Sequence, residues 1–331
     1  MSNTDNKIYT VEPEYSRNNP LNTVNKTVRV LNKKKRVTVQ SIVKYVVLIC
    51  IAAALLFPVI YMVTNSFMSN SEVLRNYNVI SSGGIDNTVI NDEGIEETKH
   101  TYISFKLIPD MVSFMQYYNV LLRKPKFLLM FWNSVFLTVP IVVGQIIVAT
   151  LAAYAFSKLK FPFSDKIFFI YIIVMMMPFQ VTLVPNYIVL KELNLLGSYW
   201  SIIFPGTFAT FGVFLLRQFM VYIPDEYCES AKIDGAGYMR SFFSIVLPQC
   251  KGALASLAIL VFIDNWNMVE QPLIFLDNET MHPLSIFLSR INEQEIGIAF
   301  ACGMLYMIPT LLVFLYGENY FIEGIEMSGV K

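Results

Sequence analysis

Seven residues place polar atoms inside stretches that are otherwise apolar: Gln145, Gln180, Asn186, Asp264, Asn265, Trp266 and Asn267. A polar group at membrane depth is costly. It points either to a functional site or to interhelical hydrogen bonds worth about 0.6 to 2 kcal/mol each. Amides both donate and accept, and an indole adds a flat apolar face. Such a set suits an uncharged, hydroxyl-rich solute better than an ion. Asp264 is the most costly member and belongs either at an interface or in a wet cavity. Gln180, Asn186, Asp264, Trp266 and Asn267 are the candidates for lining a path. The apolar stretches carry no spaced carboxylates, which argues against a proton-coupled carrier.

Catalytic constellations are missing. There is no Gly-x-x-x-x-Gly-Lys-Ser/Thr phosphate loop, so ATP is not hydrolysed by this chain through that route. His-Glu-x-x-His and Gly-x-Ser-x-Gly are absent as well. His100 and His282 fall in polar loops and are expected to be solvated. Cys50, Cys228, Cys250 and Cys302 lack metal-ligand spacing and read as free thiols. No catalytic residue, metal or cofactor is assigned to the chain itself, and an enzyme is the class least supported.

The elements that must position these residues are membrane helices. Of 331 residues, 55% are hydrophobic and only 15% charged, against about 25% charged in a soluble domain. Mean hydropathy is +0.50. A helix needs about 20 apolar residues to cross the hydrocarbon core. Six such stretches occur: Ile42 to Met62, Asn133 to Phe156, Ile167 to Leu190, Tyr199 to Phe219, Ala253 to Met268 and Ile298 to Leu315. The first lacks a small-residue cleavage site and reads as a retained anchor. Prolines 140, 178, 185, 205 and 309 imply bent helices in a bundle.

Residues 1–40 read as a disordered cytoplasmic tail ending in a basic cluster of Lys26, Arg29, Lys33, Lys34, Lys35 and Arg36. A nucleic-acid role is set aside, because a basic patch before a span is the positive-inside signal. Residues 41–66 hold the first span. Residues 67–130 form an extracytoplasmic loop, with turn signals at Ser82-Gly83-Gly84 and Glu93-Gly94 and interfacial helices from Phe105. Residues 131–318 carry the other five spans, and 319–331 a cytoplasmic tail. Lys158, Lys160 and Lys166 place the turn after the second span inside, and both termini come out cytoplasmic.

One polar island, Ile223 to Leu254, interrupts the spans. It reads as a helix from Asp225 to Lys232, then a break at Asp234-Gly235-Ala236-Gly237 with Asp234 capping the next helix. That second helix runs from Tyr238 to Val246 and is stopped or kinked by Pro248. Without a nucleophile, metal site or phosphate cradle, the island reads as a docking surface on the cytoplasmic side.

The island resembles the EAA loop of ATP-binding-cassette importer permeases of the carbohydrate type. Glu229, Ser230, Ala231, then Asp234-Gly235-Ala236, then Ile245-Val246-Leu247-Pro248 carry the likeness. Ser230 stands for the motif's first alanine, and Cys228 where sugar permeases often have an acid. Ala152 to Ser157, Met177-Pro178-Phe179-Gln180, Leu193-Asn194-Leu195-Leu196, Phe211 to Gln218 and Trp266-Asn267 agree with the same family. The likeness covers Val43 to Lys331 apart from the polar insertion from Val79 to Tyr102.

The resemblance implies an all-α integral membrane protein with six spans, of the type I importer permease fold. It implies a second homologous permease subunit, two copies of an ATPase subunit that binds ATP and magnesium, and an extracytoplasmic solute-binding protein. The cargo would be a sugar or oligosaccharide; a glycerol-phosphate ester or another polar solute is the close alternative. An ion-driven secondary carrier is the alternative class. Among the coupling residues, Glu229 would make a polar contact to the ATPase, Ala231 would pack closely and Gly235 would act as the hinge, with Ser230, Asp234 and Ala236 beside them. The location implied is a bacterial cytoplasmic membrane, with lipid around the helices and no nucleic acid bound.

Overall fold

A computed structural model describes residues 39–69, 71–73, 76–77, 87–90, 96–99, 106–291 and 296–329. The basic tail, His100 and most of the polar insertion lie outside the described residues. The chain divides into two compact units, Met1–Pro58 and Val59–Lys331.

The first unit contains most of helix α1, Val39–Ser66. Its side chains from Ile42 to Pro58 are exposed and, apart from Lys44, apolar, as a lipid-facing helix requires.

In the second unit, two four-residue strands, β1 Asn87–Ile90 and β2 Glu96–Lys99, pair antiparallel with Asn87 opposite Lys99. They bracket the Glu93-Gly94 turn signal, where only a loop was expected. A short helical stretch, Met115–Tyr118 continued by a π-helical turn Asn119–Arg123, falls where interfacial helices were expected. Helix α2, Pro125–Lys158, follows it with proline at its start, where a missing N–H costs nothing. After it come α3 Ser164–Met175, α4 Phe179–Glu192, α5 Trp200–Thr207 and α6 Thr210–Val221. The island forms α7 Asp225–Ile233 and α8 Tyr238–Ser241. Helix α9, Lys251–Trp266, leads to the short helices α10 Glu270–Phe275 and α11 Leu284–Ser289. The final helix α12, Ile296–Gly329, runs well past the expected end of the sixth span.

Among the described residues, four spans are long and apolar enough to cross a membrane: Ile42–Ser66, Pro125–Lys158, Trp200–Val221 and Ile296–Glu318. Two bent pairs bring the number to six when each is one span. The expected third span, Ile167 to Leu190, bends by 104° between α3 and α4. Pro178 sits at that break with extended ψ of 138°, because proline lacks an amide proton and disfavours a helical residue before it. The fifth span bends by 75° against the end of the island, at Cys250.

The core lies between α2, α6 and α9. Small residues let the backbones approach: a Cβ at Gly212 would stand 2.9 Å from Ala149 Cβ, and one at Gly206 2.9 Å from Ile141 Cγ2. At the far end of α1, Tyr77 donates to Asn65 Oδ1 at 2.6 Å, while the Glu72 carboxylate accepts from the Asp110 amide at 2.8 Å and pairs with Lys106 at 3.1 Å. These bonds tie Tyr77 to that helix and Glu72 to Lys106 and Asp110.

Candidate functional site

Helix α7 carries Asp225 and Glu226 in its first turn and Lys232 in its last, both favourable to the helix dipole. Cys228 and Ala231 lie three residues apart on one face and are each 8% exposed, packed inward. Burial explains a thiol at 228, since an acid there would have to be desolvated. Glu229 and Ser230 point outward, and Ile233 is 88% exposed.

The end of α7 is a Schellman motif. Gly235 takes φ +80°, its amide donates to Lys232 O at 3.0 Å, and the Ala236 amide donates to Ala231 O at 2.8 Å. Asp234 was expected to cap the following helix. It instead ends α7, at φ −74° and ψ 6°, and extended Gly237 precedes α8 without a side-chain cap. Three intervening residues put Asp234 out of position for that role. The second helix is α-helical to Ser241 and again from Leu247 to Gln249, so it runs past Val246. Pro248 sits in the first turn of the resumed helix, where a missing N–H is tolerated. Phe242–Val246 is a π-helix whose wider turn seats Phe242 and Val246 in the core.

The last turns of α2 hold both halves of this segment. The Tyr154 hydroxyl donates to Tyr238 O at 3.1 Å, and its ring packs on Phe242 with centroids 5.0 Å apart. Lys158 donates to Ile223 O and to the Asp225 carboxylate, the latter at 2.7 Å, with a side chain only 3% exposed. The hydrogen bond from Lys158 holds the Asp225 carboxyl below the usual carboxylate range, assisted by the charges of Lys158, Lys160 and Lys232. Arg217 braces the same turn: its Nε donates to Phe156 O at 3.2 Å and its guanidinium lies 3.9 Å over the Phe168 ring.

The path candidates fall into two groups. Gln180 is exposed and Asn186 half-buried on α4. Asp264 and Asn267 are exposed at the end of α9, whereas Trp266 is fully buried. The indole stacks on Phe262 and Tyr306, meets Phe131 edge-on, and donates to Tyr306 O at 3.2 Å. The Tyr306 hydroxyl returns bonds to Trp266 O at 3.0 Å and Asn267 Oδ1 at 2.7 Å. Asn265 and Asn267 donate to carbonyls one turn back, at 2.8 and 2.7 Å. Gln145 is buried beside Gly212.

His282 corrects an expectation. It is buried, not solvated, with Nε2 3.0 Å from Leu276 O. Asn133 was read only as the start of a span. Its Nδ2 donates to Thr280 O at 2.7 Å and His282 O at 3.0 Å, and its Oδ1 accepts from Tyr199 at 2.9 Å. The Ser134 hydroxyl accepts from the Leu284 amide at 2.8 Å. Tyr154, Tyr199 and Tyr306 shared one signal in the sequence: a phenol in an apolar helix needs a hydrogen-bond partner.

These features define a class: a helical membrane protein in which a two-helix polar segment, held by buried side chains, interrupts the spans. The chain belongs to the family described as binding-protein-dependent transport system inner membrane component, whose model matches residues 113–320. It is therefore a multi-pass membrane protein of a transport family. It is 32% identical over 244 residues to the sn-glycerol-3-phosphate transport system permease protein UgpE of Yersinia enterocolitica, covering 71% of this chain and 87% of that one. It is 27% identical over 284 residues to the arabinooligosaccharides transport system permease protein AraQ of Halalkalibacterium halodurans, covering 85% and 93%. Its fold matches a chain of a bacterial ABC transporter involved in the import of the acidic polysaccharide alginate, with TM-score 0.70, 24% identity, and 87% and 98% coverage.

Proposed function

We propose that the chain is the transmembrane permease subunit of an ATP-driven, binding-protein-dependent importer of a sugar or oligosaccharide, in a bacterial cytoplasmic membrane with both termini in the cytoplasm. The observation that carries this reading is the coupling segment. Tyr227, Ile233, Tyr238 and Met239 are exposed on α7 and α8, while Tyr154 and Lys158 fix the opposite side to α2. An exposed apolar helix with a rigid footing suits a groove on another protein. That protein is an ATPase subunit present in two copies, which binds ATP and magnesium. Glu229, Ser230, Asp234, Gly235 and Ala236 lie at or beside the contact, and Ala231 packs beneath it. A second homologous permease completes the path, to which Gln180, Asn186, Asp264 and Asn267 contribute polar groups. Trp266 shapes it from within the core. ATPase closure moves the segment, and the spans alternate between inward- and outward-facing states.

The name of the Yersinia relative favours a second cargo, a glycerol-phosphate ester carried by the same machine. Calorimetric titration of the partner solute-binding protein with neutral oligosaccharides and with glycerol 3-phosphate separates the two. The machine itself is tested by purifying the tagged chain in mild detergent. A second permease and an ATPase should accompany it, and their absence under several gentle conditions would count against the importer.

A further inference from the structure

Helix α2 grips a loop at each of its ends, and each grip is a set of directional hydrogen bonds from side chains buried on α2. Most of these bonds are buried or half-buried, and one, Lys158 to Asp225, reaches an exposed carboxylate. At one end Asn133, 6% exposed, spends both amide protons on Thr280 O and His282 O and accepts from Tyr199. Ser134 beside it takes the Leu284 amide. At the other end Tyr154 and Lys158, one turn apart on one face, hold the two helices of the coupling segment separately. About 37 Å of helix separates Asn133 from Lys158, at 1.5 Å per residue.

Between the two grips, α2 touches its neighbours mainly through small or apolar groups. Gly144 meets Thr207, Ile141 meets Gly206, and Ala149 meets Gly212. Apolar surfaces without directional bonds can slide. Buried hydrogen bonds in a low dielectric fix position and are expensive to leave unmade. The loop 280–284 and the segment 223–241 must therefore move with α2 rather than past it.

We infer that Asn133, Tyr154 and Lys158 are positioning residues that make α2 a strut, carrying displacement of the coupling segment to the loop Thr280–Leu284 at the opposite end. The inference rests on the transporter reading above. It adds that α2 links the two loops through side-chain hydrogen bonds, beside the covalent route that runs from the segment into α9 and on to Met268, whose carbonyl accepts from Ser285. Arg217 and the π-helical turn at Phe242 brace the strut where it meets the segment.

The test uses the complete transporter in nanodiscs: this chain, its second permease, the ATPase and the solute-binding protein. Hydrogen exchange is followed at 223–241 and at 280–284 while a non-hydrolysable ATP analogue is added. In the wild type both segments respond. In Tyr154→Phe and in Lys158→Met the response at 280–284 is lost while that at 223–241 remains. The ratio of solute-stimulated to unstimulated ATP hydrolysis drops about five-fold per hydrogen bond removed. Lys158→Arg, which keeps a donor, restores it. Tyr154→Phe removes a single hydroxyl and decides the matter where Lys158→Met does not assemble. A wild-type response at 280–284 in Tyr154→Phe overturns the strut while leaving the transporter intact. A wild-type complex without any response to nucleotide overturns the transporter reading and the strut with it.

Discussion

The Lys158 ammonium lies 2.7 Å from the Asp225 carboxylate and joins the last turn of the second span to the first residue of the coupling helix. Lysine here is more than a topology signal, because its side chain is buried and its other bond goes to the Ile223 carbonyl. The Asp225 carboxyl is held below its usual range, first by that hydrogen bond. A lowered folded value means that the pair's contribution is complete above the ordinary aspartate value of about 4. It is lost only as pH falls through the lowered value. Thermal stability of the purified chain should therefore show no step from this pair between about pH 5 and 8. Asp225→Asn should lower stability across that window by less than about 1 kcal/mol, since the carboxylate is largely exposed. A wild-type step near neutral pH that Asp225→Asn abolishes would contradict this.

Gly235 has open space around its Cα but a φ of +80°. Gly235→Ala should cost about 1 kcal/mol, from conformation rather than collision. Gly235→Asn should cost less, because asparagine tolerates the left-handed region. Gly235→Pro should abolish ATPase co-purification, since proline can neither take this φ nor donate to Lys232 O. Co-purification yield and solute-stimulated ATP hydrolysis read all three.

At Gly212 the added Cβ would press against Ala149, Gln145 and Leu257, at 2.9, 3.1 and 3.3 Å. Gly212→Val should destabilise the bundle by about 1 to 3 kcal/mol. Ala149→Gly in the same chain should recover part of the loss. The apparent melting temperature in detergent, followed by size-exclusion chromatography, gives the comparison.

Ile233 is exposed at the tip of α7. Ile233→Asp should leave the chain's own stability within about 0.5 kcal/mol, as for other surface changes. ATPase association should nevertheless fall. Equal association by the wild type and the variant would remove Ile233 from the contact.

Trp266 and Asp264 are two residues apart and should behave differently. Trp266→Ala should cost about 3 to 5 kcal/mol in stability, because the indole is fully buried on Phe131, Phe262 and Tyr306. Asp264→Asn should leave stability unchanged and alter uptake rate or solute selectivity. Uptake into proteoliposomes beside a melting curve separates the two effects.

Much of the architecture was legible in the sequence because membrane insertion is a local, compositional event. A run of about 20 apolar residues has to form a helix in lipid, whatever its neighbours are. The two-helix island and its glycine break were equally legible, since they depend on proline, glycine and charge at adjacent positions. The partners of those helices were not. Tyr154 and Tyr238 are 84 residues apart, Asn133 and His282 149 apart, and Trp266 and Tyr306 40 apart. No spacing rule joins such pairs. The angle at Pro178 was foreseeable as a bend but not as 104°.

The sequence by itself therefore determined the spans, the polar segment between them and the lack of a phosphate loop, because each depends on residues close along the chain. Tertiary structure alone decided that Trp266 and His282 are buried, and that Lys158 and Tyr154 grip the coupling segment. Each of those outcomes depends on which distant carbonyl or ring lies within reach, and packing brings them there.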